Sequence, residues 1–232
     1  MNHVIEPVTD ASELAHAYES VLAPSFPPTE LVPVDVFVAG GTTGHLDVLV
    51  ARPDGGGEPL GVIVGERHGD GVLVDWLAVS GAMRGGGVGG ALIEAGLRRW
   101  LDGGALVVLG EVERPDRFGT HPRYGDPERR LAFYDRLGAT ALDVPYYQPP
   151  IAEGMPRLPG LLLVVLAAAD PAPAPRILSQ AEADAVREVL AATMGEPEPG
   201  DAETQRVFAA VDDTAGVRLL PLAQYQRVPL SR

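Results

Sequence analysis

The stretch from Val72 to Leu101 constrains this chain most. A strand-forming run, Val72-Leu-Val-Asp-Trp-Leu-Ala-Val79, leads through Ser80-Gly-Ala-Met into Arg84-Gly-Gly-Gly-Val-Gly-Gly90, and an amphipathic stretch follows over Ala91 to Leu101. Glycine inside a helix costs about 1 kcal/mol relative to alanine. A cluster this dense therefore reads as a loop between a strand and a helix. Its backbone N–H groups are unshielded by Cβ atoms, and the start of the helix adds partial positive charge. The expectation is an anion site for a phosphate-bearing cofactor.

The rest of the chain places that loop in an α/β (α+β) protein. Strands are expected over Val4 to Val8, Leu46 to Ala51, Leu60 to Glu66, Val72 to Val79, Ala105 to Val112, Ala141 to Tyr147 and Leu161 to Ala168. His68-Gly-Asp-Gly71 is a hairpin signal. Asp10-x-x-Glu13 caps a helix that runs to about Leu22, and Glu30 to Val38 fits either strand or helix. Gly103-Gly104 ends the helix after the glycine loop. Asp126-Pro127-Glu128 opens a second strong helix, which Gly138 closes. After Ala168 the texture changes. Asp170 to Pro175 reads as a stiff linker. Ser179-Gln-Ala-Glu182 is a capping box for a helix ending near Gly195, and a short helix is expected from Glu203 to Val211. The expected organisation is a core over 1–168 and a Pro-rich linker with a helical C-terminal extension over 169–232.

Two zeros in the composition exclude chemistry. Without cysteine there is no disulfide framework, no thiolate metal site and no cysteine nucleophile. Without lysine there is no Schiff base and no Walker-type phosphate lysine, since all 18 basic residues are arginine. A net charge of −14 argues against nucleic acid as a partner. The five histidines show no metal spacing, so no metal is expected. The longest apolar stretch, Leu161 to Ala169, is about half of what a bilayer span needs, and the N-terminus has no basic leader region. A cytoplasmic protein without membrane attachment is expected.

The glycine loop supports two readings by itself. Gly85-x-Gly87-x-x-Gly90 formally matches the dinucleotide fingerprint, with Glu111 about twenty residues on, where a ribose-binding acid sits. In that fingerprint the strand ends almost at the first glycine, whereas here Ser80 to Arg84 intervene. The other reading is Arg-x-x-Gly-x-Gly at Arg84, Gly87 and Gly89.

Three segments in this order resemble the GNAT superfamily of acetyltransferases. They are Asp75-Trp-Leu-Ala-Val79 with Arg84 to Leu92, then Leu109-Gly-Glu-Val112, then Arg130-Leu-Ala-Phe-Tyr134-Asp-Arg-Leu-Gly138. The resemblance covers roughly residues 4 to 168 and is strongest over 72 to 147. It implies a mixed, mostly antiparallel central sheet with splayed middle strands flanked by helices. It also implies acetyl-CoA as acyl donor, with the backbone of Leu77, Ala78 and Val79 on the pantetheine arm and the amides of Arg84, Gly85, Gly86, Gly87, Val88, Gly89 and Gly90 on the pyrophosphate. A surface role for Arg84 is equally open.

The implied chemistry is attack of a neutral primary amine, on a small molecule or a peptide, on the thioester. The resemblance assigns the Leu77 N–H as oxyanion donor and Tyr134 as general acid, although Tyr134 also shares a helical face with Leu131 and fits a core position. Asp75, Glu111 and Glu113 are the candidate bases, with Glu111 and Asp75 favoured. An unpaired acid in so apolar a strand is costly, and a salt bridge to arginine is the competing explanation for each. The departure from the family is the connection Arg114 to Pro127. With the helix start that follows it, this loop is rich in arginine and either holds an anionic group or balances nearby acids. The tail either caps its own acceptor cleft or reaches a second copy in a homodimer. Two further readings stand beside acyl transfer. One is a catalytically silent acyl-CoA-binding protein on the same fold, and the other a Rossmann-type dinucleotide-binding oxidoreductase.

Overall fold

The computed structural model describes residues 2–83, 85–151 and 154–231. The chain forms two compact units, one from 1–67 with 74–100 and one from 68–73 with 101–232.

In the first unit the strand order is β1 (His3–Pro7), β2 (Leu46–Pro53), β3 (Gly61–His68), β4 (Gly71–Val79). The pairs β1–β2 and β2–β3 are antiparallel. Four helices accompany them: α1 (Ala11–Ala17), α2 (Ala23–Ser25), α3 (Val34–Thr43) and α4 (Val88–Asp102). The last residues of β3 and α4 and the first of β4 belong to the second unit. Asp10 caps α1 by accepting from the amides of Ser12 and Glu13, and a π-helical turn carries the chain on to Leu22. The ambiguous stretch from Glu30 resolves into α3, which starts only after Pro33.

Alternation divides the two faces of this sheet. Val62, Val64 and Ala78 join Leu14, Phe37 and Val48 in one core. The intervening residues of β3 face α4. There glycine is required, because a Cβ on Gly65 would stand 2.4 Å from the Trp100 ring. Asp47 holds the end of that helix, accepting from Trp100 Nε1 at 2.9 Å and Arg99 Nε at 2.6 Å.

The second unit orders its strands β5 (Val107–Glu113), β9 (Leu161–Ala168), β6 (Thr140–Leu142), β11 (Arg218–Pro221), β10 (Arg176–Ile177). Every pair is antiparallel. β7 (Tyr147–Gln148) and β8 (Leu158–Pro159) form a separate two-stranded ribbon. The helices are α5 (Pro127–Arg136), α6 (Gln180–Met194) and α7 (Ala202–Val211), followed by 3-10 turns over Leu222–Arg227. Leu109, Leu163 and Val165 pack with Val186, Val189 and Phe208 of α6 and α7.

Three local outcomes differ from the sequence expectation. The single strand over 141–147 is two pieces, β6 and β7, because Pro145 has no N–H for the ladder and the chain turns at Val144, whose carbonyl accepts from the Tyr146 amide. Helix α4 starts at Val88, three residues before the expected Ala91. The C-terminal stretch holds strands as well as helices. β11 pairs Leu219 with Leu142 and Leu220 with Ala141.

Candidate functional site

The glycine loop lies in the first unit. β4 ends at Val79, the Ser80 amide donates to the Leu60 carbonyl at 2.9 Å, and a 3-10 turn over Gly81–Met83 follows. Gly85 and Gly87 have φ of +83° and +82°, a region that L side chains rarely adopt, and a Cβ on either would meet nothing within 4 Å. These glycines are therefore set by backbone conformation and by open space above the loop, not by packing beneath it. The helical hydrogen bond from the Ala91 amide to the Gly87 carbonyl, 3.1 Å long, leaves the amides of Val88, Gly89 and Gly90 ahead of it in the first turn. That turn carries no acidic side chain. An anion approaching it meets N–H groups and a favourable helix dipole with no competing carboxylate.

What fixes the loop is buried. Val88 and Leu92 are essentially inaccessible. A Cβ on Gly61 would stand 2.8 Å from Leu92 Cδ1 and 2.9 Å from the Ala78 carbonyl oxygen. Gly61 thus lets β3 lie close to both the end of β4 and the start of α4, a role that its place in a strand pattern did not disclose. Ala78 is buried, and Leu77 and Val79 are half-buried. Asp75 is half-buried on the same strand, one residue from Trp76, whose indole N–H donates to the Glu30 carbonyl at 2.8 Å. Arg84 lies outside the described residues.

Gly87→Ala tests the loop. The left-handed φ costs about 1–2 kcal/mol for a non-glycine residue, and the new Cβ enters the open space where a phosphate would sit. Gly104→Ala is the matched control, with φ +87° and equally open surroundings. Both variants are expected to lose similar stability, and, on the expectation from the sequence that this loop holds acetyl-CoA, only Gly87→Ala to weaken that binding, by about tenfold or more. Equal binding in the two variants would remove Gly87 from the cofactor site.

The carboxylate and the phenol lie in the second unit. Glu111 sits on β5 opposite Leu163 of β9. Its Oε1 accepts from the Tyr146 hydroxyl at 2.5 Å, and its Oε2 accepts from Gln148 Nε2 at 2.7 Å. Burial pushes the carboxyl above its ordinary range, and the two donors oppose that only in part. Glu113, on the same strand, pairs with Arg130 of α5 at 2.6 Å and is the salt-bridged acid of the pair. Neither Tyr146 nor Gln148 was singled out from the sequence, where 35 and 37 residues separate them from Glu111.

Tyr134 is half-buried on α5. Burial pushes its phenol up to about 12, and the nearby Arg130 charge offsets only part of this. No hydrogen bond to its hydroxyl is formed among the described residues. The ring rests edge-on against Phe133, with centroids 5.1 Å apart. Leu131, on the same helix, is the buried core residue. Tyr134 therefore carries a proton that is strongly held yet not donated to any described acceptor.

The Arg114–Arg130 segment is mostly self-neutralised. Arg114 is buried, pairs with Asp116 at 3.1 Å and donates to the Val228 carbonyl at 2.8 Å. Arg129 pairs with Asp126 and Arg130 with Glu113. His121 Nδ1 accepts from the amides of Arg123 and Tyr124, and its ring stacks on Tyr124. A cavity of about 310 Å³ beside α5, lined by Pro115, Leu131, Ala132, Leu222 and Tyr225 among others, contains none of the residues predicted from the sequence. Among the described residues no group of three or more His, Cys, Asp or Glu side chains is placed to hold a metal ion. No helix of the described residues is long and apolar enough to cross a membrane.

No family model matches the chain, and no curated protein matches it. Solved structures do. A candidate acetyltransferase of the GNAT family from Bacteroides thetaiotaomicron matches 84% of this chain and 99% of its own, with TM-score 0.59 and 24% identity. A candidate acetyltransferase from Acinetobacter baylyi matches 74% of this chain and 97% of its own, with TM-score 0.52 and 13% identity. This chain has the GNAT fold. Its strands pair mostly antiparallel and are flanked by helices, as expected of that fold. A match over 84% of the chain is more than residues 1–168 provide, so the likeness to the first of these GNAT structures reaches into the C-terminal stretch.

Proposed function

We propose that this protein is an acetyl-CoA-dependent N-acyltransferase that transfers acetyl directly to a primary amine of a small molecule or peptide. The observation that carries the reading is the open, glycine-lined loop that leads from β4 into the start of α4 in a GNAT fold. The amides of Gly85 to Gly90 fit a pyrophosphate, and no acidic side chain of the first turn opposes it. By the resemblance, the backbone of Leu77 to Val79 holds the pantetheine arm, and the Leu77 N–H donates to the carbonyl oxygen as charge develops there.

The thioester supplies the activated acyl carbon. Glu111 receives the proton that the amine loses, directly or through one water. A carboxyl raised towards neutrality is better suited to this than an ordinary one. Tyr134 supplies the proton to the departing sulfur, and a phenol held at about 12 still carries that proton at neutral pH. The new bond is nitrogen to acyl carbon, and the bond broken is carbon to sulfur. No cysteine is available to form a covalent acyl-enzyme through sulfur, which favours direct transfer.

Thermal unfolding with acetyl-CoA is the first test. Ligand at about a hundred times its Kd adds roughly 2.7 kcal/mol, which for a chain of this size, at about 2–4 °C per kcal/mol, raises Tm by about 5–11 °C. Thiol release with a panel of primary amines then reads turnover. A shift with NAD and none with acetyl-CoA would overturn the proposal. A shift without thiol release for any amine would leave a binding protein in its place.

A further inference from the structure

We propose that Tyr146 and Gln148 are positioning residues for Glu111: each donates to one carboxylate oxygen, and together they hold the half-buried group in place for proton transfer. This rests on the reading of Glu111 as the base. The cluster is built from three separate pieces of chain, β5, the segment after β6, and β7. Tyr146 is only 2% exposed, and its ring is packed in the same core as Leu109, Leu161 and Leu163.

The donors are themselves anchored. Tyr146 stacks on Tyr147, with planes 16° apart. The Tyr147 hydroxyl bonds to Thr204 Oγ1 at the start of α7, and that hydroxyl donates to Asp201 Oδ2 at 2.7 Å. Arg157 pairs with Asp201 and lies over the Tyr147 ring. Gln148 is fixed by β7–β8 pairing opposite Leu158. The C-terminal helix α7 thus braces the segment that orients Glu111.

Core stability alone does not call for this arrangement. Replacing buried ionic groups by apolar residues of similar size is often neutral or stabilising. A carboxylate has about four acceptor positions, and two on Glu111 are used among the described residues. The group is thus held by both oxygens yet retains capacity to take a proton.

The charged groups of the neighbouring elements are engaged elsewhere. Glu113 is tied to Arg130 of α5. On α6, Glu182 is tied to Arg176, Asp184 to Gln180, Arg187 to Glu196 and Asp212, and Glu188 to the Asp70 amide. Asp201 and Glu203 hold Arg157. β9 has no titratable side chain. Tyr134 of α5 stays protonated. None of these, nor Asp143 of the segment after β6, hydrogen-bonds Glu111.

The test is Tyr146→Phe, which keeps the ring and removes one donor, with Gln148→Leu as an independent second variant. Losing a donor to the anion moves the acid limb of the kcat/KM–pH profile upward by about one unit, a tenfold loss on that limb. The rate at high pH falls much less. A direct readout is the titration of the Glu111 carboxyl by carbon NMR, assigned with Glu111→Gln, which is expected to move the same way in both variants. An unmoved carboxyl titration, with the rate lowered equally at all pH values, overturns the proposal. A moved titration with an unmoved rate profile keeps the positioning and overturns Glu111 as the base.

Discussion

Tyr134→Phe will keep acetyl-CoA binding and lower turnover by about 10²–10⁴-fold, the range for a general acid or base. The substitution removes one oxygen and leaves the edge-on packing against Phe133 in place. That oxygen makes no hydrogen bond among the described residues, so its loss strands no buried partner and folding stability should change by less than about 1 kcal/mol. Separating rate from stability is the point of the choice. Acetyl-CoA-dependent Tm shifts measure binding, and thiol release measures kcat in the same preparation. Undiminished turnover would return Tyr134 to the alternative that its helical position always allowed, a half-buried packing residue.

Glu182→Ala will destabilise the protein by about 3–5 kcal/mol, the usual cost of removing one partner from a buried ion pair. Glu182 is 2% exposed. It accepts from Arg176 Nη1 and Nη2 at 2.9 Å, from the Ser179 amide at 2.9 Å and hydroxyl at 3.0 Å, and from the Asp170 amide at 3.1 Å. Burial alone would raise its carboxyl, but these donors together outweigh burial and bring it down to about 2. Arg176 Nε is already a buried donor without an acceptor among the described residues, and removing Glu182 takes away the closest carboxylate, leaving the guanidinium the Ile177 and Asp170 carbonyls and the Asp170 carboxylate at 3.8 Å. Because the folded value lies below the unfolded one of 4.5, the stability is fully present above about pH 4.5 and is lost as pH falls towards 2. Urea midpoints should therefore differ most between wild type and variant at neutral pH and converge in acid. Equal midpoints at pH 7 would show that the pair contributes nothing.

Much of the local structure was legible because its causes are local. The Asp10, Asp126 and Ser179 caps place three helix starts to within a residue or so. The run Leu161 to Ala168 forms a strand with those same limits. Glycine at 138 and 195 closes α5 and α6 with positive φ. What escaped was short or non-local. β10 has two residues and no periodicity to read. β11 is recognisable only through its partner β6. Gly61 and Gly65 look like weak points in a strand until Leu92 and Trp100 are placed against them.

The sequence by itself determined that a strand runs into a glycine loop and then a helix, that no cysteine or lysine chemistry is available, and that Glu111 and Tyr134 are worth testing. Glycine's backbone freedom and the absence of a side-chain type are properties of single positions, so they need no fold to be read. Only the tertiary structure decided which of these groups are perturbed and by what. Tyr146 and Gln148 reach Glu111 because β6 and β7 are interrupted at Pro145 and the ribbon behind them is braced by α7. Glu113 is neutralised by Arg130 from another element. Burial and hydrogen-bond partners depend on residues distant along the chain, and those distances close only when the sheet and helices pack.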